Sequence, residues 1–169
     1  YQEILDSFPL YENRGWIYYQ QGRILLTEKR IDEAIRCFQK ALEAPTTIAS
    51  LRAYCCERLG FIAFYEQRDS LSAVNYLDQA VLHYPAAEDR LWLVHVHTLR
   101  SRIFRELRDY ERAVDAAETA IRIADDKNGL ADALLTAAET LSLLENREQE
   151  VIAYLQQFIQ ISKRPLGID

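Results

Sequence analysis

The 169-residue sequence contains no methionine and only five glycines, four prolines and three cysteines. So few glycines and prolines leave little material for the turns of an all-β fold and favour long helices. Cys37, Cys55 and Cys56 are odd in number and lack metal-ligand spacing. That argues against a disulfide framework or a metal centre, and they read as reduced, buried thiols of an intracellular protein. No stretch approaches the roughly 18 uninterrupted apolar residues of a membrane span, and no basic-then-apolar leader opens the chain. The expectation is a soluble, cytoplasmic protein without a membrane partner. A chain that opens at Tyr1 and lacks methionine also reads as a piece of a longer protein. Basic charge is scarce too: 20 Lys and Arg against 26 Asp and Glu give a net charge of −6. Nucleic-acid binding rests on clustered positive charge, so no nucleic-acid partner is expected. Sixteen of the 20 basic residues are arginine, the side chain suited to bidentate recognition of carboxylates, which leaves room for a local anion site.

What is present is a pattern written several times. Its most regular statement is GWIYYQQGRILLTEKRIDEAIRCFQKALEAP, Gly15 to Pro45. It reads as two amphipathic helices joined by a short polar turn. Gly22, Ala34 and Ala41 are small, Phe38 lies between the two alanines, and Ala34, Ile35, Phe38, Ala41 and Leu42 form an apolar helical stripe. A second copy runs from Ser50 to Pro85, with Gly60, Ala73, Leu77 and Ala80 at the matching points. Gly60 to Ala73 is one residue longer than Gly22 to Ala34, so its turn must hold an extra residue. Asp69 and, in the third copy, Asp109 each stand four residues before an alanine, at a good helix N-cap. The third copy spans Asp89 to Ala124. The fourth spans Leu130 to Ser162 and is the least regular, with Glu139 at the glycine point and Val151 and Phe158 at the alanine points. Larger residues there predict looser packing of the last helix pair.

This layout of small residues resembles the tetratricopeptide repeat, in which they let paired helices approach closely. Spacings of 38, 41 and 38 between Gly22, Gly60, Ser101 and Glu139 exceed the basic repeat of about 34 residues, so several helices should begin a turn early. Lengthened units of this kind look like those of superhelical domains in bacterial signal-transduction ATPases and maltose-type transcription activators, or in kinesin light chains. The resemblance implies an all-α fold: a single domain forming a right-handed α–α superhelix of about four helix pairs. It also implies a non-enzymatic scaffold that binds a protein or peptide along a concave groove lined by the first helix of each pair. The alternative it implies is a ligand-sensing or regulatory domain of a larger signalling ATPase or transcription regulator.

The groove positions implied by the resemblance are Trp16, Tyr19 and Arg23, then Glu57, Phe61 and Phe64, then His95, Arg102 and Arg105. The first two copies supply an aromatic wall able to give apolar contact area at low entropic cost. Arg102 and Arg105 suit a carboxylate or phosphate, so the expected partner is a peptide with an apolar part and an acidic group. The carboxylate clamp of chaperone-binding relatives is absent: its points read Tyr19 and Arg23, Glu57 and Phe61, Thr98 and Arg102. His95 and His97 face different sides of a helix and cannot chelate one ion, and no phosphate loop or nucleophile elbow occurs, so no cofactor, metal or catalytic set is expected. Arg100 and Glu139 replace apolar or small residues on adjacent first helices and are candidates for a charge pair. The last helix carries Val151, Ile152, Tyr154, Leu155, Phe158, Ile159 and Ile161, more apolar surface than one neighbour can bury. Tyr154, Phe158 and Ile161 mark it as an interaction face, for a further repeat or for self-association.

Overall fold

The structure is a computed structural model that describes residues 13–44, 46–84 and 90–163. The opening stretch YQEILDS, Tyr1 to Ser7, which reads as a short helix ended by Pro9, and the closing prolines Pro45 and Pro85 lie outside the described residues. Among those residues there are eight helices and no strand. They are α1 (Arg14–Thr27), α2 (Ile31–Glu43), α3 (Leu51–Tyr65), α4 (Ser70–His83), α5 (Arg90–Glu106), α6 (Tyr110–Ile123), α7 (Lys127–Leu141) and α8 (Glu148–Ser162). The chain packs as two compact units, Tyr1–Pro85 and Ala86–Asp169, each holding two helix pairs.

In the first unit, the residues that set the pattern are the ones that close the pair α1–α2. Ala34, Phe38 and Ala41 are at most 2% exposed, and the absent side chain of Gly22 gives the Phe38 ring its place. Gly60 does the same for Leu77 between α3 and α4. α3 is covered on most sides, with Leu51, Ala53, Cys55, Leu59, Ile62 and Ala63 buried. All three cysteines are buried free thiols, as expected, and burial pushes the Cys55 thiol up to about 12.

The second unit repeats this with alanine: Ala113, Ala116, Ala117 and Ala120 line the α6 face that meets α5. α7 begins at Lys127, earlier than the sequence pattern alone places it and in line with the lengthened repeats. Its cap is Asp126, whose carboxylate accepts from the amides of Asn128 and Gly129. The last pair is shallower. α8 has no buried residue, and Val151 and Phe158 are half-buried where Ala113 and Ala120 are fully enclosed. One register expectation is corrected here. Glu139 does not sit at the pair junction but is exposed, while Ala138 and Thr140 on either side of it are buried; the small-residue point of α7 is displaced by one.

All four within-pair turns share one device. Lys29, Arg68, Arg108 and Asn146 adopt left-handed backbone, with φ between 57° and 62°, and each stands two residues before its second helix. In the first turn the Lys29 amide donates to the Leu26 carbonyl and the Arg30 amide to the Leu25 carbonyl, a glycine-type helix stop built without glycine. Arg108 and Asp109 repeat it with Arg105 and Phe104. The second turn holds four residues between helices instead of three, and there the Asp69 amide reaches back six residues, to Ala63. This is the extra residue that the Gly60–Ala73 spacing requires.

Candidate partner-binding surfaces

On the first unit, aromatic rings from α1, α3 and the C-terminal end of α4 meet in one chain of contacts. Trp16 stacks on Tyr19 with centroids 5.2 Å apart, Tyr19 lies 5.9 Å from Tyr54, and Tyr54 meets Tyr84 edge-on at 5.6 Å. Trp16 also approaches Tyr54 at 6.5 Å. Such tilted and stacked pairs add to the area the rings bury. The chain is graded in exposure: Tyr19 and Tyr84 are buried, whereas Trp16 and Tyr54 keep part of their rings open. Phe61 is also half-buried, seven residues and two turns along α3 from Tyr54 and so on the same face.

Three residues expected on an open groove are instead buried: Tyr19 at 3%, Glu57 at 1% and Phe64 at 5% exposure. The physical reason is side-chain packing: Tyr19 lies among the rings of Trp16, Phe38 and Tyr54, Glu57 is covered by Tyr84, and Phe64 meets Tyr65 edge-on. Tyr19 becomes the floor under Trp16 and Tyr54, and burial pushes its hydroxyl pKa up, only partly offset by the charges of Arg58 and Arg23. Glu57 becomes an internal hydrogen-bond acceptor. Its carboxylate accepts from Arg58 at 3.0 Å and from the Tyr84 hydroxyl at 3.4 Å. Desolvation, then the nearby Glu57 charge, drive the Tyr84 pKa upward, so this hydroxyl stays a donor. Arg23 remains exposed, donating to Gln20 at 3.1 Å with its guanidinium 5.9 Å from the Tyr19 ring centre. Among the described residues it forms no ion pair.

On the second unit the corresponding stripe is polar and already matched in charge. Arg102 bridges α5 to α7, its Nη2 lying 2.6 Å from Asp132 and 3.4 Å from the Thr136 hydroxyl. One turn on, Arg105 holds Glu139 at 2.7 Å. Beneath them the Ser101 and Thr140 hydroxyls, both buried, lie 3.4 Å apart. The two arginines expected to receive an acidic partner are thus held by acids of the neighbouring helix. A charge pair does cross this junction, but Glu139 takes Arg105, while Arg100 lies 3.3 Å from His97 and against the Phe104 ring. The sequence signal for the observed pairs was the presence of Asp132 and Glu139 about two turns apart on α7, with nothing in the pattern to mark Arg102 and Arg105 as their partners.

His95 is exposed, at the edge of an apolar pocket of about 290 Å3 that Leu91, Trp92 and Val94 line from α5 and Gly129 and Asp132 from α7. On α8, the expected interaction residues Tyr154, Phe158 and Ile161 are half-buried, and the Tyr154 hydroxyl donates to Glu118 of α6 at 3.3 Å. The open apolar side chains are their neighbours round the helix: Ile152, Leu155 and Ile159, 47%, 37% and 46% exposed. Among the described residues no His, Cys, Asp and Glu side chains gather as a metal site, and no helix is long and apolar enough to cross a membrane.

Two stretches, residues 10–46 and 94–127, match the family model of the tetratricopeptide repeat. They cover the first helix pair and most of the third. No curated protein matches the chain in sequence. In three dimensions the chain is similar to the crystal structure of MamA, with a TM-score of 0.73 and 15% sequence identity over 95% of this chain and 84% of that one. The likeness shows the fold class that the sequence led us to expect, an all-α superhelical fold of tetratricopeptide-type helix pairs.

Proposed function

We propose that the chain is a non-enzymatic protein-interaction scaffold that holds a peptide segment of its partner against the first unit, on the face formed by Trp16, Arg23, Tyr54 and Phe61. The observation that carries the reading is the graded aromatic chain. Trp16 and Tyr54 are large rings left partly open although buried Tyr19 and Tyr84 lie directly behind them. Rigid rings on a packed floor lose little entropy when a side chain docks on them, which is the property of interface hot spots. Arg23, exposed beside them, supplies a cation for an acidic group of the peptide. The tetratricopeptide matches support an interaction role in general. Arg102 and Arg105 enter this reading as braces between α5 and α7, since an acidic ligand there would have to displace Asp132 or Glu139.

Selection of a random peptide library on the wild-type chain, with recovered peptides measured against variants, tests the proposal. Recovered peptides should carry an aromatic or aliphatic anchor next to an acidic residue. Trp16→Ala and Tyr54→Ala should each weaken them at least about tenfold, the size expected of a hot-spot ring. Arg23→Glu should remove the preference for acid. Affinities unchanged in both aromatic variants would sink the reading.

The pocket at Leu91, Trp92 and His95 favours a second reading, a sensory domain that takes a small apolar ligand. It requires that a compound raise the thermal midpoint of the wild type and fail to do so in Trp92→Ala.

A further inference from the structure

The five positions Glu148, Ile152, Leu155, Ile159 and Lys163 are spaced by four, three, four and four residues and so form one stripe along α8. All five are exposed. Between its ends the stripe carries no charge, and the ends are opposite: an acid in the first turn and a lysine at the C-cap. Neither Glu148 nor Lys163 forms an ion pair among the described residues. The equivalent helix of the preceding pair, α6, does not leave its apolar edge open. There Ile121, Ile123 and Ala124 pack with Ala120 and Val94 against Ala133 of α7. A helix of this type therefore has a face made to be covered by another helix.

We propose that the cover is α8 of a second copy of this chain, laid antiparallel across a two-fold axis near Leu155. The stripe is its own complement under that operation. Glu148 of one copy meets Lys163 of the other, Ile152 meets Ile159, and Leu155 packs on its own counterpart. An isologous contact demands this self-complementarity, in which residue i meets j and j meets i. Antiparallel pairing also sets opposite ends of the two helix dipoles side by side. A parallel arrangement would bring like charges together at both ends. The contact is short, since a 15-residue helix spans only about 22 Å, and the dimer it makes is in exchange with the monomer at micromolar concentration. It uses α8 alone and stands apart from the peptide face proposed for the first unit.

Sedimentation equilibrium of the full chain over about 1 μM to 1 mM tests this, together with four variants whose substitutions lie at exposed positions. The wild type should show a reversible monomer–dimer equilibrium. Leu155→Glu, which places two carboxylates on the axis, should weaken it more than tenfold. Glu148→Lys and Lys163→Glu should each weaken it severalfold, and the double charge swap should restore it. A wild type that stays monomeric across the range overturns the proposal, as does a dimer indifferent to Leu155→Glu. A double swap no better than the singles overturns the antiparallel register. Unchanged helical circular dichroism in each variant separates loss of contact from loss of fold.

Discussion

Gly22 lies flat against the ring of Phe38. A β-carbon added at Gly22 would stand 2.8 Å from Phe38 Cε1 and 3.0 Å from Cδ1 and Cζ. The ring is fully enclosed, so it has nowhere to retreat. Gly22→Ala therefore sets two effects against each other. Alanine in a helix interior is favoured over glycine by about 1 kcal/mol, whereas overpacking a closed core costs about 1–3 kcal/mol. The crowding involves three atoms of a rigid ring, so it should win. Urea denaturation should find Gly22→Ala less stable, by up to about 2 kcal/mol. Adding Phe38→Leu should make the alanine less harmful than it is in the wild-type background. A Gly22→Ala chain more stable than wild type would show that α1 and α2 can part at no cost, contrary to this account.

The turns lead to a second prediction, of opposite sign. Lys29 and Arg108 hold left-handed backbone at the helix stop, where φ is 60° and 59°. An L-residue in this region pays about 1–2 kcal/mol that glycine does not. Glycine gives back part of that through its freer unfolded chain, about 0.4–1 kcal/mol. Both side chains are exposed, so little packing is lost. Lys29→Gly and Arg108→Gly should each stabilise the fold by about 0.5–1 kcal/mol. Asn146→Gly should gain less, because asparagine tolerates this conformation. Chemical denaturation of the three variants checks the ranking, and destabilisation by Lys29→Gly would contradict it.

These two cases divide what the sequence made legible from what it did not. Gly22, Ala34, Phe38 and Ala41 were readable because a close helix contact needs small residues at fixed spacing, and burial then follows from geometry. The caps Asp69 and Asp109 were readable because a carboxylate at that point has amides to accept from. The helix stops were not: lysine and arginine carry no left-handed preference, so their conformation is imposed by the helices on either side. The pairing of Arg102 with Asp132 and of Arg105 with Glu139 depends on how α5 and α7 slide past each other, which no local pattern encodes. On α8 the periodicity announced an apolar arc of nearly half the circumference. Which half faces α7 and which faces outward, Tyr154 and Phe158 or Leu155 and Ile159, was decided only by packing.

The caps also fix a dependence on acidity. The Asp69 carboxylate is held below its usual range first by the Ser72 hydroxyl and then by backbone amides. Asp109 is held down first by the Arg112 guanidinium, whose Nε lies 2.6 Å away, and then by the Arg112 amide. In the unfolded chain each titrates near 3.9 or so, roughly the free aspartate value. Because the folded form binds the proton less tightly, the stabilisation is complete above the unfolded pKa and is lost as pH falls through it toward the folded value. Asp69→Ala and Asp109→Ala should therefore lower the denaturation midpoint at neutral pH, and the gap from wild type should close below about pH 4. The two differ in their response to salt. Asp109 acts partly through an exposed ion pair, so added salt should shrink its gap, while the hydrogen bonds of Asp69 should resist screening. Midpoints measured from pH 7 to pH 3 at low and high ionic strength decide the matter, and a gap that stays constant with pH would exclude the carboxylates as its source.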